Sequence, residues 1–131
     1  MREPRWVPRI VVDSIHLDQL REHGGLAGVR DENALEAALA CARQPWSYEP
    51  ASDLASLAAA YAFGLARAHP FSDGNKRTAF VTMMTFLGLN TKELSATEVE
   101  VVQMMVALAG GAVTETMLAD WIRARLVPLS P

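Results

Sequence analysis

Apolar residues recur at helical spacing along almost the whole chain, and that period constrains it to an all-α fold. Leu54, Leu57, Ala58, Tyr61 and Leu65 share one face of a helix that Ser52 or Asp53 is placed to cap. Leu35, Ala38, Leu39 and Ala42 share a face of an earlier helix, with Asp31 as its N-cap. A helix before that one is expected over residues 14–22 and ends at Gly24 and Gly25. A fourth begins near Gly74 and Asn75, carries Phe80, Met83, Met84 and Leu87, and closes at Gly88 and Asn90. Thr97 and Glu100 have capping-box spacing for a fifth. Val99, Val101, Val102, Met104, Met105, Val106 and Leu108 make that helix apolar on nearly all sides, so it is expected at the centre of the molecule. Gly110 and Gly111 stop it. Thr114 caps a sixth helix, with Leu118, Trp121 and Ile122 inward and Arg123 and Arg125 in the last turn, where cations suit the helix dipole.

Residues 1–12, with Pro4 and Pro8, are expected as an extended lead-in, and residues 127–131 as a tail. Pro45 and Pro50 bracket an expected loop that holds Trp46 and Tyr48. The expectation is a single domain over residues 1–131: a compact bundle of about six helices. A chain of 131 residues can bury one core but not two.

Composition narrows the classes of function. The net charge of −3 supplies no general basic field for nucleic acid. No apolar run reaches membrane-spanning length, and the first ten residues lack the apolar stretch of a secretory signal. The single cysteine, Cys41, cannot form an internal disulfide. It fits a reduced compartment as a core residue, so the expected location is cytoplasmic.

The chemistry gathers between His69 and Thr78. His69 and Asp73 are four apart, a spacing that would place both on one face of a continuous helix. Pro70 prevents this, because it disfavours α geometry at the preceding residue and lacks an N–H. His69 therefore ends the third helix, and residues 71–74 form a loop anchored by Phe71. Lys76 and Arg77 follow in the first turn of the next helix, where unpaired N–H groups and the dipole already concentrate positive charge. Two cations there call for an anion, and the backbone at residues 74–77 with both side chains forms a phosphate cradle. Gly74 lets the backbone approach closely, and Asn75 offers an amide N–H.

Asp73 is either the N-cap of the fourth helix or a Mg²⁺ ligand beside the phosphates. His69 is either a general base or a helix C-cap. For Lys76 and Arg77 the plain alternative is a solvated face. His16 and His23 read as surface or capping residues, and the methionine-rich faces as core.

These residues resemble the core pattern of the Fic/Doc family, His-Pro-Phe-x-Asp/Glu-Gly-Asn-Gly/Lys-Arg, which residues 69–77 match throughout. Residues 23–31, 35–39 and 118–123 also resemble Doc ("death on curing") chains, so the likeness spans about residues 10–126. The resemblance implies a Fic-type helical fold and nucleotide-dependent modification of a protein hydroxyl. By the same resemblance His69 is the catalytic base, Asp73 holds Mg²⁺, and Asn75, Lys76 and Arg77 bind phosphates. It further implies a target-docking flap over residues 44–52. Trp46 and Tyr48 on that loop suit either a protein-docking surface or packing back onto the core.

Two departures select a branch. AMP-transferring Fic proteins usually carry Gly at the position of Lys76 and a second Arg at the position of Phe80. Doc-type chains share the Lys and lack that Arg, which implies ATP bound with its γ-phosphate in the cradle and phosphoryl transfer. AMP transfer to a protein hydroxyl is the alternative, and a non-enzymatic binding module the second. A metal-dependent hydrolase ranks last, for want of a second His-Asp pair. The self-inhibiting Ser/Thr-x-x-x-Glu-Gly/Asn segment of many Fic proteins is absent from the sequence. The resemblance therefore implies inhibition by a separate antitoxin of the Phd type, and a threonine of translation elongation factor Tu as target.

Overall fold

Alanine makes up much of the third helix of the chain, and small side chains let helices approach from several sides. A computed structural model describes residues 2–48 and 52–130. The elements run α1 (Arg9–His23), α2 (Glu32–Tyr48), α3 (Leu54–Ala68), α4 (Asn75–Leu89), β1 (Lys92–Leu94), α5 (Glu98–Ala109), α6 (Glu115–Arg125) and β2 (Leu126–Pro128). Helix α3 is the hub. Ala55, Leu57, Ala58, Ala59, Ala60, Tyr61, Ala62, Leu65 and Ala66 are buried, and α2, α4, α5 and α6 pack around it. Gly64 faces α2, where a Cβ would stand in ordinary contact, 3.5 Å from the Ala38 Cβ and backbone oxygen. Tyr61 fills the floor of the core, and its hydroxyl accepts the Val7 N–H at 3.0 Å. Phe86 packs against the Tyr61 ring. The fold is a compact all-α bundle with one small β pair.

The expected caps hold at four helices. Asp53 accepts the Ser56 N–H at 2.9 Å, Thr114 accepts the Met117 N–H, and Thr97 with Glu100 forms a full capping box. Asp31 accepts the Ala34 N–H at 3.0 Å, as its place ahead of α2 requires.

Five expectations need correction. Helix α1 begins at Arg9, not near residue 14, with Pro8 as N-cap and its carbonyl accepting from Val11 and Val12. The extended lead-in is therefore shorter than residues 1–12. Burial of Val12 and Ile15 overrides the β-branched run that read as extended. Helix α2 continues through Pro45 to Tyr48, so Trp46 and Tyr48 lie in its last turn and not in a loop. A proline so close to a helix end removes one backbone bond, and Trp46 packs against the core there. Pro50 lies outside the described residues. Cys41 is exposed on α2, not in the core.

Helix α5 is peripheral rather than central. Only Met105 and Leu108 are buried, while Val99, Val102 and Val106 are 65%, 60% and 56% exposed. Its all-round apolar composition reflects an uncovered face. Finally, residues 127 and 128 are not tail: β2 pairs antiparallel with β1, Glu93 opposite Val127. Among the described residues no helix is long and apolar enough to cross a membrane.

Candidate active site

The junction between α3 and α4 is built by backbone groups that find partners from distant parts of the chain. His69 closes α3 in the left-handed region, at φ 47° and ψ 54°. The Arg30 guanidinium donates to the carbonyls of His69 (2.9 Å) and Ala68 (3.2 Å), satisfying the open end of the helix with a cation. Pro70 is buried, and its carbonyl accepts the N–H groups of Arg30 and Asp31 at 2.8 and 3.0 Å. The Ser72 N–H donates to the Gly28 carbonyl, and Val29 bridges Phe71. Residues 24–31 thus run alongside the loop.

Phe71 is the buried anchor expected from the sequence. Its N–H donates to Asn75 Oδ1 at 2.9 Å, and its carbonyl accepts from Asn75 Nδ2 at 3.0 Å. Asn75 therefore pins the loop with both ends of its amide. One amide hydrogen remains for a ligand.

His16 corrects its sequence reading. It is only 6% exposed, its ring stacks on Phe71 at 3.8 Å between centroids, and Nε2 lies 2.8 Å from the Asp73 carbonyl oxygen. Its position four residues after Val12, on the buried face of α1, is the signal that could have found it. His23, at the end of α1, is exposed as expected.

Gly74, at φ 76°, is the N-cap of α4 and offers no side-chain cap. Asp73 does not fill that position. Its Oδ1 accepts the Gly74 N–H at 2.9 Å, and its Oδ2 the Leu26 N–H at 3.3 Å. Those two donors aim the carboxylate at residues 25 and 26. A Cβ on Gly25 would lie 2.7 Å from Oδ2, so the close approach depends on glycine there, as does the φ of +123°.

Lys76 and Arg77 occupy the first turn of α4, and neither forms an ion pair among the described residues. Arg77 Nε is buried with no hydrogen-bond partner, a costly state for a charged donor unless an anion meets it. His69, Ser72, Asp73, Gly74, Asn75, Lys76 and Arg77 line one cleft of about 310 Å³. All six residues selected from the sequence for catalysis or phosphate binding therefore meet in one place. A neighbouring cleft of about 270 Å³ shares Lys76 and Arg77 and is walled by Phe80, Val101, Val102, Met105 and Val106.

The donor set bears on a metal. Among the described residues no three His, Cys, Asp or Glu side chains converge on one point. Asp73 is the one carboxylate in the cleft. A lone carboxylate beside an anion cradle suits Mg²⁺, which keeps waters and binds largely through phosphate oxygens.

A profile of the Fic/DOC family matches residues 6–87, from the segment before α1 into the last turn of α4. "Protein kinase doc" of Escherichia phage P1 is 31% identical over 110 residues, which cover 84% of this chain and 86% of that protein. "Toxin Doc" of Mycolicibacterium smegmatis is 40% identical over 74 residues, 56% of this chain and 57% of that protein. The matched residues contain the whole α3–α4 junction with the α1 and 24–31 segments that hold it, and the chain belongs to the Fic/Doc family.

Proposed function

We propose that this protein is the toxin of a toxin–antitoxin pair and transfers the γ-phosphate of ATP to a hydroxyl of a target protein. The observation that carries this reading is the start of α4. It has no side-chain cap, it bears Lys76 and Arg77 without counter-charge, and it stands beside His69. Phe80, in place of a second arginine, supports phosphoryl over AMP transfer, as does the kinase name of the phage P1 relative.

In this reading the backbone N–H groups just after Gly74, which its missing side chain leaves open, the free amide hydrogen of Asn75 and the cations of Lys76 and Arg77 hold the γ-phosphate. Asp73 is the Mg²⁺ ligand; the ion, when bound, neutralises charge on the phosphates. His69, exposed at the cleft, takes the proton of the target hydroxyl as its oxygen bonds to the γ-phosphorus. The bond from that phosphorus to the bridging oxygen breaks, and ADP leaves. Positioning and charge stabilisation supply most of the rate. The target is a threonine of elongation factor Tu, so that transfer blocks translation in the cytoplasm. The partner that restrains the toxin is a Phd-type antitoxin. Tyr48, 80% exposed in the last turn of α2, and the partly buried Trp46 two residues before it are the candidate docking aromatics for the target.

Mass spectrometry of elongation factor Tu, incubated with the protein and Mg²⁺–ATP, tests the reading. A phosphate-sized adduct on a threonine is expected. An AMP-sized adduct overturns phosphoryl transfer, and no adduct overturns the target. His69→Ala is expected to lower the transfer rate by about 10²- to 10⁴-fold.

A further inference from the structure

We infer that His16 is a positioning residue for the phosphate cradle, acting through the backbone of Asp73 and the ring of Phe71. The functional meaning rests on the reading above; the geometry does not. His16 comes from α1, 57 residues before Asp73 in sequence. Its Nε2 sits 2.8 Å from the Asp73 carbonyl oxygen, and a carbonyl can only accept. Nε2 therefore carries the hydrogen. The ring is stacked on Phe71 with 15° between planes. Its Cδ2 and Nε2 also lie 3.7 and 3.8 Å from where a Cβ on Gly74 would stand.

One buried side chain thus touches the anchor and the acid's backbone, and lies over the face of the helix cap where a side chain would stand. Fixing the Asp73 carbonyl fixes the peptide that joins Asp73 to Gly74. That peptide's N–H is the one Asp73 Oδ1 accepts. With it rotated, both the carboxylate and the first free N–H groups of α4 point elsewhere. His16 does not touch the cleft lined by His69 and Arg77, so its part is to hold other groups and not to react.

Two variants separate the interactions. His16→Phe keeps the stacked ring and its volume and loses the donor. His16→Gln keeps an N–H near the position of Nε2 and loses the ring. Nitrogen NMR of the wild-type imidazole reports the tautomer: the expected form has hydrogen on Nε2, and an Nδ1–H tautomer with bare Nε2 overturns the inference. Amide exchange is then read at Phe71, Ser72 and Gly74, with α6 amides as the control for global stability. Loss of protection at the loop alone is expected in His16→Phe, with partial recovery in His16→Gln. Binding of ATP at fixed Mg²⁺ is expected to weaken about tenfold or more in His16→Phe, as for other groups that orient a ligand-bearing residue.

A folded His16→Phe with wild-type loop protection and wild-type ATP binding overturns the inference. If His16→Phe does not fold, the wild-type tautomer and His16→Gln decide it. If the wild-type protein binds no ATP, the functional reading fails, while the tautomer and loop protection still decide the role of His16.

Discussion

At the start of α5, the Thr97 hydroxyl accepts the Glu100 N–H, Glu100 returns a bond to the Thr97 N–H, and Glu98 adds a second acid to the first turn. At the start of α4, Gly74 presents no side chain and the first turn carries Lys76 and Arg77. Both helices expose the same unpaired N–H groups and the same positive end of a dipole. The first start answers them from within the chain. The second leaves them open and adds charge of the same sign. Asp53 before α3 and Thr114 before α6 side with α5. The difference teaches that the α4 start carries a cost to helix stability that nothing in its own first turn offsets, and that a bound anion would offset. Arg77 Nε, in the same turn, is buried without a hydrogen-bond partner.

The strongest way to break this comparison is Lys76→Glu, which puts an acid into the first turn of α4, as α5 has. Lys76 is exposed, so the substitution leaves packing alone. Two effects of opposite sign are expected. Phosphoryl transfer falls by about 10²-fold or more, as when one donor to a developing charge is lost. Thermal stability of the free protein rises, by about 0.3–1 kcal/mol, because a carboxylate now meets the dipole. A variant that loses activity and stability together would show that Lys76 supports the fold, and the contrast between the two helix starts would collapse.

The loop was legible in the sequence because its determinants are local. Pro70 breaks the helix at His69, Gly74 allows the turn, and the cations stand in the next helical turn. Helical period is local too, which is why the all-α class could be read. What holds the loop was not legible. His16 and Arg30 reach it from 57 and 39 residues away, and nothing near either residue announces a partner at that distance. The pairing of residues 28–31 with the loop has the same origin. Helix α5 failed for another reason. Apolar residues on every side state that a helix has no polar face, but not whether protein covers it. The three-residue strands β1 and β2 carry no periodic signal at all.

A second test uses the start of α3, where cap and charge act together. Asp53 accepts the Ser56 N–H and also takes Arg123 of α6 at 2.6 and 3.0 Å. Arg123 foremost, with the Ser56 bonds, holds the Asp53 carboxyl well below the usual carboxylate range. Asp53→Ala is expected to cost about 1–2 kcal/mol, the cap contributing about 1 and a half-exposed ion pair less. The pH dependence follows from the depressed value. The stabilisation is fully present above the unfolded pKa, about 3.9, and is lost as pH falls from there through the folded value. Denaturant unfolding from pH 7 to pH 2 should therefore show the wild type and Asp53→Ala converging in acid. Equal separation at every pH would remove the charge from the account and leave the cap alone.

The smallest effect sharpens the comparison most finely, because it gives α5 the cap that α4 already has. Thr97→Ala is expected to cost about 1 kcal/mol, and Thr97→Gly only a few tenths, since glycine leaves the first N–H groups open to water. Thermal unfolding of the two variants measures both. If glycine is nearly harmless at residue 97, the cap residue is not what sets the two helix starts apart. The first-turn charges are: Glu98 and Glu100 on one, Lys76 and Arg77 on the other. A large cost for Thr97→Gly would instead place the difference in the missing side-chain cap. Gly74 would then be the more expensive concession at the start of α4, and an anion bound there would have to replace a hydrogen bond as well as a charge.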